Sequence, residues 1–280
     1  MPKVSVIVPN YNHADYLPQR LDSIYQQTYQ DFEVILLDDC SSDKSLEILE
    51  YYAEKPNTIF APNKNNSGSV FRQWHKGVEL SQGEYIWIAE SDDFASPFFL
   101  QKLVKIMDRN PRIGIAYAQS WLVNINGDIL CDATCWTNDL NSQRWRNKYL
   151  NSGHKEIHNF LVYKNTIPNA SAVLIRRKSL EKCGGVIKQY FRLCGDWLQW
   201  IKILGESDIA FVPECLNFWR QKSSNARVNS AGTLEWIEGE KVLTQACEIL
   251  NLSSGERNGI LLKFLRQCWH WQKEYIDLVS

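Results

Sequence analysis

No run of about 18 apolar residues occurs in the 280-residue chain, so no membrane-spanning helix is expected. The stretch from Met1 to Pro9 has no long apolar core, so no secretory leader is expected. Neither sign of charge is in excess, since 31 basic and 32 acidic residues leave a net charge of −1. Proteins that track a nucleic-acid backbone carry a basic excess, and that class is disfavoured. The eight cysteines (Cys40, Cys131, Cys135, Cys183, Cys194, Cys215, Cys247 and Cys268) include no C-x-x-C pair. Without an export signal they read as reduced, mostly buried thiols, and the glycosylation triplet Asn169-Ala170-Ser171 reads as chance. The turn after the first strand, Pro9-Asn10-Tyr11-Asn12-His13, holds no glycine, and no G-x-x-x-x-G-K-[ST] loop exists. Both absences argue against a Rossmann dehydrogenase and a P-loop nucleotide enzyme. At 44% hydrophobic and 22% charged residues, the chain is that of a globular protein with a sizeable core.

The first 120 residues alternate strand and helix patterns. The run Val4-Ser5-Val6-Ile7-Val8 reads as a buried parallel strand, and Leu17, Leu21 and Ile24 follow at helical spacing. Phe32 to Leu37 is the second strand, and Ser41 or Ser42 is the expected cap of the next helix. A weaker strand spans Asn57 to Ala61, a helix Ser69 to Leu80, and a fourth strand Glu84 to Ala89. A helix from Pro97 to Asn110 and a strand from Ile113 to Ala118 follow. This order predicts an α/β fold with a mostly parallel, Rossmann-like central sheet and helices on both faces.

Beyond residue 120 the pattern loosens. Short helices are expected near 142–150 and 156–163, a strand over Ala172–Ile175, and a helix over Asp196–Leu204. Residues 234–251 and 257–278 read as a C-terminal helical extension. The last helix carries Leu261, Phe264, Leu265, Cys268, Trp271 and Tyr275 as one stripe.

Ligands of such sheets bind beyond the carboxyl ends of the strands. Here those ends deliver Pro9-Asn10-Tyr11, Asp38-Asp39 and Glu90-Ser91-Asp92-Asp93. Acidic residues repel phosphate unless a divalent cation intervenes, and Mg²⁺ or Mn²⁺ is commonly held by a carboxylate together with substrate phosphates. Asp92-Asp93 therefore suits a metal–diphosphate clamp; the competing account has these residues cap the helix near Pro97.

These segments in this order, with the helical stretch from Leu17 to Thr28 and the Asp38-Asp39-Cys40-Ser41-Ser42-Asp43 turn, closely resemble the family 2 glycosyltransferases of GT-A fold over roughly residues 1–220. The resemblance implies that Pro9, Asn10 and Tyr11 cradle a nucleotide base and that Asp39 binds the base edge. It further implies that Asn66 and Gly68 flank the nucleotide, that Asp92 lies near the ribose or metal, and that Asp93 is the ligand of Mn²⁺ or Mg²⁺. Glu90-Ser91 replaces a clean D-x-D, which leaves the role of Glu90 open. In inverting members the general base opens a helix in an acidic pair. Asp196 of Cys194-Gly195-Asp196-Trp197 matches that base, with Gly195 in place of the usual first acid. Capping of its own helix is the competing role for Asp196. Arg220 and Lys222 stand where relatives carry a diphosphate-binding Arg-x-x-His-like element, without its histidine. Any of Trp136, Trp145, Trp197 or Trp200 would suit stacking on a sugar face, although packing in the core is the commoner use of a tryptophan.

The expected activity is inverting transfer of a sugar from a nucleotide-sugar, with UDP the expected carrier, to a hydroxyl of a saccharide or lipid-linked saccharide. The setting implied is cell-surface polysaccharide synthesis in the cytoplasm or at the inner face of the membrane. The rival is a degenerate carbohydrate-binding or scaffold subunit of the same fold. Residues 1–120 are assigned to the donor half, 121–225 to the acceptor and catalytic half of the same domain, and 226–280 to the helical region.

Overall fold

The computed structural model describes residues 1–187, 191–222 and 233–265. Strands β1 (Val4–Asn10), β2 (Phe32–Asp38), β3 (Thr58–Pro62) and β4 (Tyr85–Ile88) alternate with helices α1 (Leu17–Tyr25), α2 (Ser45–Ala53) and α3 (Val70–Leu80). Next come β5 (Phe94–Ala95), α4 (Phe99–Arg109), β6 (Ile113–Val123), β7 (Ile129–Asp132), β8 (Tyr149–Ser152) and α5 (Gly153–Glu156). The chain continues through β9 (Val173–Arg176), α6 (Arg177–Lys182), α7 (Gly195–Leu204), β10 (Asp208–Arg220) and α8 (Thr233–Ile249), and a further helix covers 254–265.

All ten strands join one sheet, whose main path runs β3-β2-β1-β4-β9-β6-β10-β5. The expected parallel arrangement holds from β3 to β4. The other half is mixed, because β9 lies antiparallel between β4 and β6 while β10 runs parallel to β6. Side chains of one strand alternate between faces. Val4, Val6 and Val8 therefore pack with Leu17, Leu21, Ile24 and the α4 residues Leu100, Leu103 and Val104. Ile7 points the other way, into a core shared with α3, α7 and α8. Each fully buried aliphatic side chain contributes roughly 1.5–3 kcal/mol, so both faces of the sheet are firmly covered.

Four expectations change. The helix expected near 142–150 is a 3₁₀ turn at Arg144–Arg146 followed by β8. Tertiary pairing overrides local propensity there: β8 pairs with Asp208–Phe211 of β10, and the Tyr149 hydroxyl bonds that of Tyr117 at 2.7 Å. Neither Ser41 nor Ser42 caps α2: its N-cap position is Lys44, without a side-chain cap bond, and the Asp43 carboxylate accepts Ser45 N at 2.9 Å. The thiols are less buried than expected, since Cys40, Cys131 and Cys135 are exposed and only Cys194 and Cys247 are fully buried among the described residues. Cys131 lies in the edge strand β7, and Cys40 sits in a tight turn at φ +63°. In the last helix, Phe264 packs in the core while Leu265 is exposed; Cys268, Trp271 and Tyr275 lie outside the described residues. Among the described residues no helix is long and apolar enough to cross a membrane.

Candidate active site

The parallel register sets Asn10 beside Asp38 at the carboxyl ends of β1 and β2. Asp38 accepts Asn10 Nδ2 at 2.8 Å, Ser41 N at 2.8 Å and Ser41 Oγ at 2.6 Å, so it fixes the turn that follows. Asp39 points toward α3. Its Oδ1 accepts Asn63 Nδ2 at 2.7 Å, Ser67 N at 2.8 Å and Gln73 Nε2 at 2.8 Å. Among the described residues its Oδ2 accepts only Ser67 Oγ, at 2.8 Å, and keeps further acceptor capacity. Asn66 closes the frame by donating to Asp39 O at 3.0 Å and accepting Gly68 N at 2.7 Å, with Gly68 at φ +70°. Pro9 is buried within β1, whereas Tyr11 leaves the strand half exposed at 48%.

The loop after β4 gathers three carboxylates. Asp93 is buried, its Oδ2 accepting Asn169 Nδ2 at 2.8 Å and Ser171 Oγ at 2.7 Å, and its Oδ1 accepting Arg220 N at 2.9 Å. Asn169 and Ser171 of the Asn169-Ala170-Ser171 triplet thus clamp Asp93. Asp93 bonds β10 and the 169–171 turn, not the amides that open α4. Asp92 pairs with Lys222 at 2.7 Å, and Lys222 Nζ also lies 2.9 Å from His13 Nε2. His13 Nδ1 is 2.7 Å from Ser91 Oγ. Burial lowers the His13 pKa, so the ring is neutral, accepts from Lys222 and donates Nδ1–H to Ser91. Glu90 Oε1 accepts Trp74 Nε1 at 2.8 Å. Beneath them Arg20 is fully buried: its Nε donates to Glu90 O at 2.8 Å, its guanidinium lies 5.3 Å from the Trp87 ring, and Nη1 and Nη2 have no partner among the described residues.

Glu90, Asp92 and Asp93 share this loop with two cations, the Arg20 guanidinium and the Lys222 ammonium. Burial, followed by the Asp92 charge, pushes Glu90 up to about 8 and Asp93 up to about 6. Burial also works to raise Asp92, but the Lys222 ammonium outweighs it and the net shift is downward. Among the described residues no group of three or more His, Cys, Asp or Glu could hold a metal. Mg²⁺ or Mn²⁺ bound with substrate phosphates needs only one or two carboxylates. Asp93 Oδ1 and Asp92 retain acceptor capacity. The donor set fits a divalent ion completed by oxygens of a second molecule.

A cleft of about 310 Å³ brings Glu90, Asp92 and Asp93 together with Asp196, Arg192 and Trp219. Asp196 opens α7; its Oδ2 accepts Asn165 Nδ2 at 3.3 Å and its Oδ1 accepts Trp197 N at 2.7 Å. Gly195 is dictated by packing. A Cβ there would lie 2.3 Å from Phe71 Cζ, which explains why the first acid of the pair is missing. Asp39, Asn66 and Tyr11 belong to the neighbouring strand ends and do not line this cleft. Arg220 lines it, but its Nε and Nη1 donate to the carbonyls of Asp92, Asn124 and Ile125, and its Nη2 to Gln19 Oε1. Trp145, Trp197 and Trp200 are buried in the core. Trp136 stands outside it, with its ring edge-on to Trp219 at 6.3 Å. His13, Arg20, Trp74, Asn169, Ser171, Arg192 and Trp219 carry no site assignment from sequence. Of these, only the N-x-S triplet left a visible mark.

Residues 5–184 match the family described as Glycosyl transferase family 2. An uncharacterized glycosyltransferase of Methanocaldococcus jannaschii is 31% identical over 173 residues, which cover 59% of this chain and 57% of the relative. The poly(ribitol-phosphate) β-N-acetylglucosaminyltransferase TarS of Staphylococcus aureus is 33% identical over 112 residues, 39% of this chain and 20% of that protein. The chain thus spans between about a fifth and somewhat over half of the length of these curated relatives. A crystal structure of S. aureus TarS 1–349 in complex with UDP-GlcNAc superposes with a TM-score of 0.70 at 20% identity, covering 94% of this chain and 71% of that one. A mannosyltransferase from Pyrobaculum calidifontis in complex with GDP-Man and Mn²⁺ superposes with a TM-score of 0.63 at 19% identity, covering 95% and 73%. At these identities the superpositions speak for the fold alone, GT-A; with the family match over residues 5–184, the chain belongs to glycosyl transferase family 2.

Proposed function

We propose that the protein is an inverting glycosyltransferase that moves a sugar from a UDP-sugar to a hydroxyl of a saccharide or lipid-linked saccharide acceptor. The observation that carries this reading is the convergence of Asp92, Asp93 and Asp196 on one cleft, beside the Asp39 frame at the same sheet edge. Asp39 Oδ2 takes the base N–H, while Pro9, Asn10, Tyr11, Asn66 and Gly68 shape the pocket for base and ribose. Asp93, with Asp92, holds Mn²⁺ or Mg²⁺, which neutralises charge on the leaving diphosphate. Lys222 is the cation assigned to the diphosphate. Arg220 braces the Asp92–Asp93 loop through its carbonyl and amide bonds. Asp196 removes the acceptor proton as the hydroxyl attacks the anomeric carbon opposite the leaving group, which inverts the centre.

On this reading residues 1–120 form the donor half and 121–225 the acceptor half. Polysaccharide assembly on the cytoplasmic side of a membrane is the setting this chemistry suits. The reading is supported by the uridine-diphosphate sugar bound in the TarS structure and by the Mn²⁺ of the mannosyltransferase. It is tested by release of UDP from UDP-N-acetylglucosamine in Mn²⁺. Asp196→Asn should lower turnover about 10²-fold or more with donor affinity nearly unchanged. Near wild-type turnover in that variant would place the base elsewhere.

A further inference from the structure

Asp196 stands two residues after a helix N-cap that has no side-chain cap of its own: Cys194 precedes α7 with no side-chain hydrogen bond to its first turn. The amides just upstream are nevertheless all bound. Arg192 N donates to Glu238 Oε1 at 2.8 Å, and Leu193 N and Cys194 N donate to Glu238 Oε2 at 2.9 Å each. Glu238 comes from α8, on the far side of β10 in sequence, and is only 3% exposed. A buried carboxylate is costly unless its oxygens are well bonded. Three consecutive backbone donors form the kind of concave nest that suits an anion. The same helix is anchored below by Val242, Leu243 and Ala246, all fully buried, and Gly239 lets the Phe264 ring pack where a Cβ would lie 2.2 Å from Cζ. The segment tied down, 192–194, contributes Arg192 and Leu193 to the cleft wall and leads directly into Asp196.

We propose that Glu238 is a positioning residue for Asp196: by binding the amides of 192–194 it fixes the start of α7 and so the place of Asp196 in the cleft. Glu238 lies beyond the 5–184 stretch that matches the family. The inference rests on the assignment of Asp196 as general base. A bond to charge is stronger than one to a neutral amide. Glu238→Gln keeps the shape but offers one acceptor oxygen where three amides need two.

The experiment compares UDP release from UDP-N-acetylglucosamine in Mn²⁺ by wild type, Glu238→Gln, Val242→Ala and the Asp196→Asn single and double variants. Val242→Ala loosens α8 without touching the three amides. Glu238→Gln should lower kcat about tenfold or more while KM for the donor stays within about twofold, the pattern of an interaction that acts only in the transition state. Val242→Ala should lose thermal stability and keep its kcat. In the Asp196→Asn background, Glu238→Gln should have no further effect on kcat, because both changes act through one group. An unchanged kcat in Glu238→Gln, an equal loss in Val242→Ala, or full additivity in the double variant would overturn the proposal. If Asp196→Asn itself keeps turnover, it is the base assignment that fails. Amide hydrogen exchange of the wild type needs neither variants nor activity: Leu193 and Cys194 should exchange as slowly as the interior of α7, and fast exchange there would also overturn the proposal.

Discussion

Asp39 and Asp196 are both carboxylates beside one cleft edge, yet they are held in different ways. Asp39 is framed by four donors from Asn63, Ser67 and Gln73, all within the β2–β3–α3 unit that follows it. Asp196 takes its bonds from Asn165 and its own helix, while the loop before it hangs on Glu238 of α8. The frame around Asp39, the proposed nucleotide end, is therefore local and self-contained. The surroundings of Asp196, the proposed base, are assembled from three distant stretches.

The largest effect should come from the carboxylates proposed to hold the metal. Asp93→Ala removes the proposed ligand and should abolish metal-stimulated UDP binding in titration calorimetry while far-UV circular dichroism stays unchanged. Metal stimulation equal to wild type would remove Asp93 from that role. Asp39→Ala should weaken UDP and UDP-sugar alike by about 1–3 kcal/mol, the scale of a buried polar group losing its partner, without altering the metal requirement. The same affinity in both proteins would show that the frame around Asp39 serves the fold alone. At the catalytic end, Gly195→Ala should cost about 1–3 kcal/mol in urea unfolding through overpacking against Phe71, and Phe71→Leu in the same chain should recover part of it. Additive losses would mean that the Phe71 ring is not the obstacle.

The last effect concerns pH. Glu90 is held near 8 against an ordinary 4.5, so the folded chain keeps a proton that the unfolded chain has released across that window. The unfolded state then binds fewer protons, and stability must fall as pH rises from about 4.5 to about 8. Glu90→Gln, measured by urea unfolding in EDTA, should flatten this slope; an identical slope would argue that Glu90 is ionised in the fold.

The same contrast explains what the sequence revealed. Val4–Val8, Phe32–Leu37 and Glu84–Ala89 announce themselves through short β-branched or apolar runs, and each ends in the polar residues that form the site. Local pattern and function coincide there. Arg20 stayed hidden because an arginine between the helical positions Leu17 and Leu21 reads as solvent-facing, whereas it is fully buried under Glu90. β8 stayed hidden because Tyr149–Ser152 gains its strand geometry only from pairing with β10. Asn169 and Ser171 looked like an unused glycosylation signal because their partner, Asp93, is more than seventy residues earlier. Glu238 carried no local mark at all, since its meaning lies in three backbone amides that no side-chain pattern encodes.

The most direct test of the account is titration of UDP into the wild-type chain with Mn²⁺ and again in EDTA. A strand-end acid cluster that shares a cation with a diphosphate predicts saturable, one-to-one UDP binding that is distinctly tighter with Mn²⁺. Absence of UDP binding in both conditions, or identical affinity with and without the metal, would contradict it.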